Sequence, residues 1–184
     1  FWGTLVAGES GTTFDEYLQF MEIAAGTAPK DLRLVTHLSC DTPKQMVQAA
    51  KTAEALGYEA ALFSYPTSFR PKTAADIVNF TKEITDQTDL AVILFAVPTW
   101  GFAPLHASKF PPEAIAAMAR IETAAAVKYE SNPPATTTGI ADLLRRCKND
   151  VIIEVPLEQY APGLIDWYGM QWMGTSAYDS FGDR

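Results

Sequence analysis

The chain is poor in the residues that build disulfide, metal and nucleic-acid sites. It has two cysteines and two histidines in 184 residues. Cys40 and Cys147 lie far apart and show no CxxC or metal-ligand spacing, so they read as reduced thiols of a cytoplasmic protein. The histidines and carboxylates are not grouped at ligand spacing either, and neither a metal nor another cofactor is expected. Positive charge is scarce: 14 Lys and Arg face 22 Asp and Glu, a net charge of -8. Without a basic stripe, nucleic acid and anionic membrane are disfavoured as partners. No apolar run reaches membrane-spanning length. Gly8-Glu9-Ser10-Gly11 is not followed by Gly-Lys-Ser/Thr, so it is no phosphate-binding P-loop. The first residue is Phe1 rather than methionine, and the chain reads as a piece of a longer protein.

What is present is a regular alternation of strand and helix signals. Residues 2–6 form a short apolar run closed by Gly8. Thr13 caps a helix that opens on Phe14, with Glu16 completing a capping box and Gly26 placed to stop it. Residues 32–38 are the next strand. Thr42 caps a helix that begins with Pro43 and runs to Leu56, with Gly57 as the stop. Residues 60–64 are a strand and 73–88 a helix. Residues 90–95 are a continuous apolar strand, expected to be buried on both faces. A long loop over 96–109 carries Pro98, Trp100, Gly101 and Pro104. A helix over 111–120, a strand ending in a lysine, a helix over 134–147 and a strand over 151–155 follow. A helical segment over 158–168 and a last strand over 171–175 close the chain.

Repeated βα units with nearly continuous apolar strands imply an α/β fold with a parallel sheet. Seven strands in a row favour a (β/α)8 TIM barrel, incomplete by one strand, over an open doubly wound sheet. Residues 1–184 are read as a single, partial barrel domain.

The stretch AAAVKYES, residues 124–131, stands out. Small or β-branched residues lead to Lys128, and the period of two puts Ala124, Ala126 and Lys128 on one face. An amine at the end of such a strand is desolvated, which lowers its pKa and favours the neutral form that attacks carbonyls. The competing reading is a lysine that reaches from the strand end to solvent. In a barrel, however, active sites lie at the C-terminal ends of the strands, where Lys128 sits. His37, Glu130 and Glu154 also lie at strand ends and are candidates for acid–base work, His37 and Glu130 first among them, against the reading that each is a satisfied structural group.

These residues resemble the dihydrodipicolinate synthase and N-acetylneuraminate lyase superfamily, the class I aldolases built on a barrel. Gly8-Glu9-Ser10 is similar to the family's GTTGES segment. Phe95-Ala96-Val97-Pro98 is similar to its YNxP segment, and Val127-Lys128 to its Schiff-base lysine. Gly57-Tyr58-Glu59-Ala60 matches the entry to the fourth strand. On this mapping the chain spans strands two to eight. The departures are specific. The family's paired threonines fall on Val6 and Ala7, its tyrosine on Phe95, its carboxylate-binding arginine on Trp100, and a loop tyrosine near Thr67 and Ser68. Val, Ala and Phe cannot shuttle protons, so synthase activity is not expected. The hydratase-aldolase branch, with its AKY around the lysine and a tryptophan in the last strand, is a nearer likeness. Trp100, Phe102 and Trp172 are then candidates for an aromatic substrate pocket, against the alternative that they pack the core.

The resemblance implies a lyase that forms a Schiff base between Lys128 and a 2-oxo acid or aldehyde, pyruvate-like in kind. Val6, Ala7, Phe95, Trp100 and Trp172 would line the substrate site. It also implies a homo-oligomer, dimer or tetramer. The alternative is a barrel that lost its chemistry and binds a small carbonyl or aromatic ligand.

Overall fold

The computed structural model describes residues 11–129, 135–147, 149–155 and 171–172. Three helices begin alike. Thr13, Thr42 and Thr73 each accept from the backbone N–H three residues on, and Glu16, Gln45 and Asp76 accept from the threonine N–H in return. These boxes satisfy donors that a first turn leaves unpaired. They open α1 (Phe14–Thr27), α2 (Pro43–Ala55) and α3 (Ala74–Thr85). Gly26 does not stop α1 as the sequence suggests. The helix runs one residue further, and Ala28, held extended before Pro29, ends it. Gly57 does follow the end of α2, at φ 81°, a conformation that favours glycine. Two further helices are α4 (Pro112–Met118) and α5 (Ala135–Cys147).

The strands are β1 (Val35–Leu38), β2 (Ala60–Phe63), β3 (Ala91–Ala96), β4 (Ala124–Tyr129), β5 (Ile152–Val155) and β6 (Gln171–Trp172). β1 starts three residues later than expected, because Leu32 N–H turns back to the Pro29 carbonyl. Residues 2–6, 158–168 and 173–175 lie outside the described residues. Every neighbouring pair is parallel, and the sheet order is β1-β2-β3-β4-β5-β6. Strands that add in chain order, always in one direction, are the order of a barrel; a doubly wound sheet reverses at a switch point.

The two faces of the sheet differ. Leu38, Ala61, Phe63, Val92, Leu94 and Val127 join one buried core with residues of α2, α3 and α4, among them Met46, Ile77 and Ile115. The other face carries His37, Leu62, Ile93, Ala126 and Ile152 at one level, by strand register. One level nearer the C-terminal ends it carries Phe95, Lys128 and Glu154. The residues of β3 alternate between half-buried on this inner side and buried on the helix side.

β4 contains one irregularity. Val92 pairs with Ala124 and Ile93 with Ala126, so Ala125 is an extra residue, a β-bulge. Ala124 is then level with the outward Val92, and only Ala126 keeps the phase of Lys128. The sequence pattern had put all three on one face.

Candidate active site

Lys128 lies on the inner face near the C-terminal end of β4, and only 6% of it is exposed. Its Nζ stands 4.6 Å from the centre of the Phe95 ring, across from it on β3. On the other side, β5 presents Glu154 in register. Lys128 thus has an aromatic ring to one side and a carboxylate to the other. Burial raises the Glu154 carboxyl above the usual carboxylate range, and the charge of Lys128 pulls it partly back.

His37 lies on the same face of β1 and is buried. Tyr17 of α1 donates to the His37 carbonyl at 2.7 Å and contacts Thr36 Oγ1 at 2.7 Å, which fixes the strand end on the helix. The His37 ring meets Phe95 edge-on at 6.0 Å, so Phe95 touches both His37 and Lys128. Burial, and secondarily the charge of Lys128, lowers the His37 pKa to about 4. The imidazole is neutral at pH 7, so there it can accept a proton or relay a hydrogen bond but does not start as an imidazolium acid. Its Nε2 is hydrogen-bonded to Ser64 Oγ.

Ser64 is a residue that sequence reasoning passed over. Its N–H donates to the Leu38 carbonyl at 3.3 Å, which extends the ladder one residue past β2. It is fully buried. The signal was present: Ser64 is the first polar residue after the apolar run, two places beyond Leu62 on the inner face.

The aromatic candidates separate. Trp100 ends a single 3-10 turn (Pro98–Trp100), and its indole N–H donates to the Phe95 carbonyl at 2.6 Å. It stacks edge-on against Phe95, at the rim of the Lys128 site. Phe102, by contrast, is fully buried against Tyr65, Phe69 and Phe110. It packs the core behind the sheet and lines no mouth. Trp172 is the second residue of β6, paired with Val155. Val6, Ala7 and Glu130 lie outside the described residues. Thr67 and Ser68 are exposed, and His106 is exposed and bonded to Ser108. Burial pushes the Cys40 and Cys147 thiols up to about 12 and about 11, so neither is a ready nucleophile. Among the described residues no group of His, Cys, Asp and Glu is arranged to hold a metal ion.

The family model of the Dihydrodipicolinate synthetase family matches residues 3–154. The chain belongs to this family. Among curated members, the 4-hydroxy-tetrahydrodipicolinate synthase of Synechococcus sp. is 26% identical over 125 residues, 67% of this chain and 39% of that protein. Two solved structures of the dihydrodipicolinate synthase fold superpose well. The dihydrodipicolinate synthase of Bacteroides thetaiotaomicron has a TM-score of 0.72 at 20% identity, over 90% of this chain and 53% of that one. The prophage protein YagE of E. coli K12, solved in complex with pyruvate, has a TM-score of 0.73 at 11% identity, over 90% and 54%. The chain therefore spans about half the length of these structures, and less of the curated relative. The six described strands are an arc of the (β/α)8 barrel of the dihydrodipicolinate synthetase family.

Proposed function

We propose that the protein is a class I aldolase or lyase that forms a Schiff base between Lys128 and a 2-oxo acid of the pyruvate type. The observation that carries this is a buried amine on the inner face at a strand's C-terminal end, where barrel enzymes place their chemistry. Membership of the dihydrodipicolinate synthetase family supports it, as does the pyruvate held by YagE. Lys128 attacks the keto carbon, and the protonated imine draws electrons as a carbon–carbon or carbon–oxygen bond breaks or forms. Phe95 and Trp100 form the apolar wall of the substrate site, and Trp172, Val6 and Ala7 are assigned to the same site by sequence. His37 is a base or relay rather than a starting acid. The working protein is a dimer or tetramer in the cytoplasm, without a cofactor.

A second reading is a barrel that binds a small carbonyl or aromatic ligand without turning it over. It is favoured by Phe95, whose ring face stabilises the charged form of Lys128 and offers no hydroxyl. Borohydride trapping on the full-length protein with pyruvate, then with a panel of keto acids and aldehydes, separates the two. The aldolase reading expects a reduced adduct on Lys128 by peptide mass spectrometry, absent in Lys128→Ala. The binding reading expects ligand-induced stabilisation and no adduct.

A further inference from the structure

Lys128 has a neighbour whose position calls for a role. Glu154 is its register partner on β5. Adjacent parallel strands run about 4.8 Å apart, and in-register side chains rise from the same face. Glu154 Oε2 is fully buried and has no hydrogen-bond partner among the described residues. A buried carboxylate oxygen without a donor is costly. It is relieved when the carboxyl is protonated, or when something in the mouth donates to it. On the opposite side of Lys128, Phe95 has no proton to give.

We propose that Glu154 is the acid–base residue of the Lys128 site, moving the proton that Phe95 cannot supply. The proposal rests on Lys128 being the Schiff-base amine. The ammonium of Lys128 passes a proton to the Glu154 carboxylate, leaving a neutral amine and a carboxylic acid. The amine's lone pair attacks the keto carbon, and an internal proton shift gives a neutral carbinolamine. The carbon–oxygen bond then breaks. The hydroxyl takes the proton from Glu154 and leaves as water, while the nitrogen lone pair closes the protonated imine and the carboxylate is restored. Electrostatics times the transfer. Once Lys128 is neutral, the charge that holds Glu154 toward ionisation is gone, and burial favours the protonated acid. Among the described residues the charged group that acts on Glu154 is Lys128 from β4. Gln171 stands at the matching position on β6.

The test times cyanoborohydride trapping of pyruvate on the full-length protein between pH 4 and 9. The native rate should change with the ionisation of one carboxyl titrating above the ordinary glutamate value. Glu154→Gln should slow adduct formation by about 10²- to 10⁴-fold, the usual scale of general acid–base catalysis. That limb of the pH profile should vanish, while the adduct still forms on Lys128 at long times. Added formate should restore rate to Glu154→Ala. A native rate in Glu154→Gln across the pH range would overturn the role of Glu154 and leave Lys128 as the amine. No adduct on native Lys128 would overturn both. If the variants fail to fold, the native profile decides alone: a rate flat through the carboxyl range overturns the proposal.

Discussion

Burial beside Lys128 has a measurable consequence for His37 in acid. Its pKa is lowered to about 4 in the folded protein from an ordinary 6.5. Between those values the unfolded chain binds the proton and the folded protein does not. Stability therefore rises with pH through this window, is fully present above about 6.5, and is lost as pH falls toward about 4. At roughly 1.4 kcal/mol per unit, the loss is about 3 kcal/mol. Urea unfolding from pH 4 to 7 should show a steeper decline for the native protein than for His37→Gln, which cannot take up the proton. Parallel curves would mean that His37 titrates normally. The hydrogen bond to Ser64 could not have been read from sequence. His37 and Ser64 are 27 residues apart, and only the β1–β2 register brings them together.

At the scale of elements, the sequence was legible where the physics is local. Thr13, Thr42 and Thr73 cap their helices because each box closes within four residues. The lysine strand was legible from its apolar run. The bulge at Ala125 was not, since it is a relation between β4 and β3 and leaves no mark in the composition of either. The sequence groups Phe102 with Trp100 as a pocket residue, because spacing alone does not tell which side of a sheet a loop aromatic enters. α5 carries another such relation. A Cβ at Gly139 would lie 2.8 Å from Cζ of Tyr129, the residue after Lys128. In an ordinary helix Gly→Ala gains about 1 kcal/mol. Here overpacking costs about 1–3 kcal/mol and outweighs it. Gly139→Ala should therefore lower the urea midpoint, and by displacing Tyr129 it should also slow trapping on Lys128. A more stable variant would show that α5 yields freely.

The whole molecule has two unlike ends. At the C-terminal ends of the strands are Lys128, Glu154, Phe95 and, through Ser64, His37. At the N-terminal ends of β3 and β4 an open cleft of about 700 Å³ is lined by Lys82, Asp86, Arg120 and Glu122 among others. It lies at the end where barrels place stability rather than chemistry. Arg120 there meets Asp150 at 3.9 Å, and the arginine side chain is 71% exposed. Arg120→Ala should change stability by less than about 1 kcal/mol, the usual worth of an exposed pair. The trapping rate on Lys128 should stay within about twofold of native. A large loss of rate would move the chemistry to the other end. The barrel itself was legible because α and β signals alternate without a break, and the sheet adds its strands in that same order.

Ala125 gives the fold a tolerance that a regular ladder lacks. In an unbroken strand, one residue more or less upstream turns every later side chain to the opposite face. The extra residue in β4 absorbs such a change before Lys128 is reached. If Ala125 were deleted, Ala124 and Ala126 would follow one another opposite Val92 and Ile93, and the amine would keep its place. Loss of Val127, past the bulge, would instead send Lys128 among the helices and bring Tyr129 inward. The loss of one residue is therefore absorbed ahead of this point and not beyond it, and the spacing of Ala126, Val127 and Lys128 fixes the face that the amine takes.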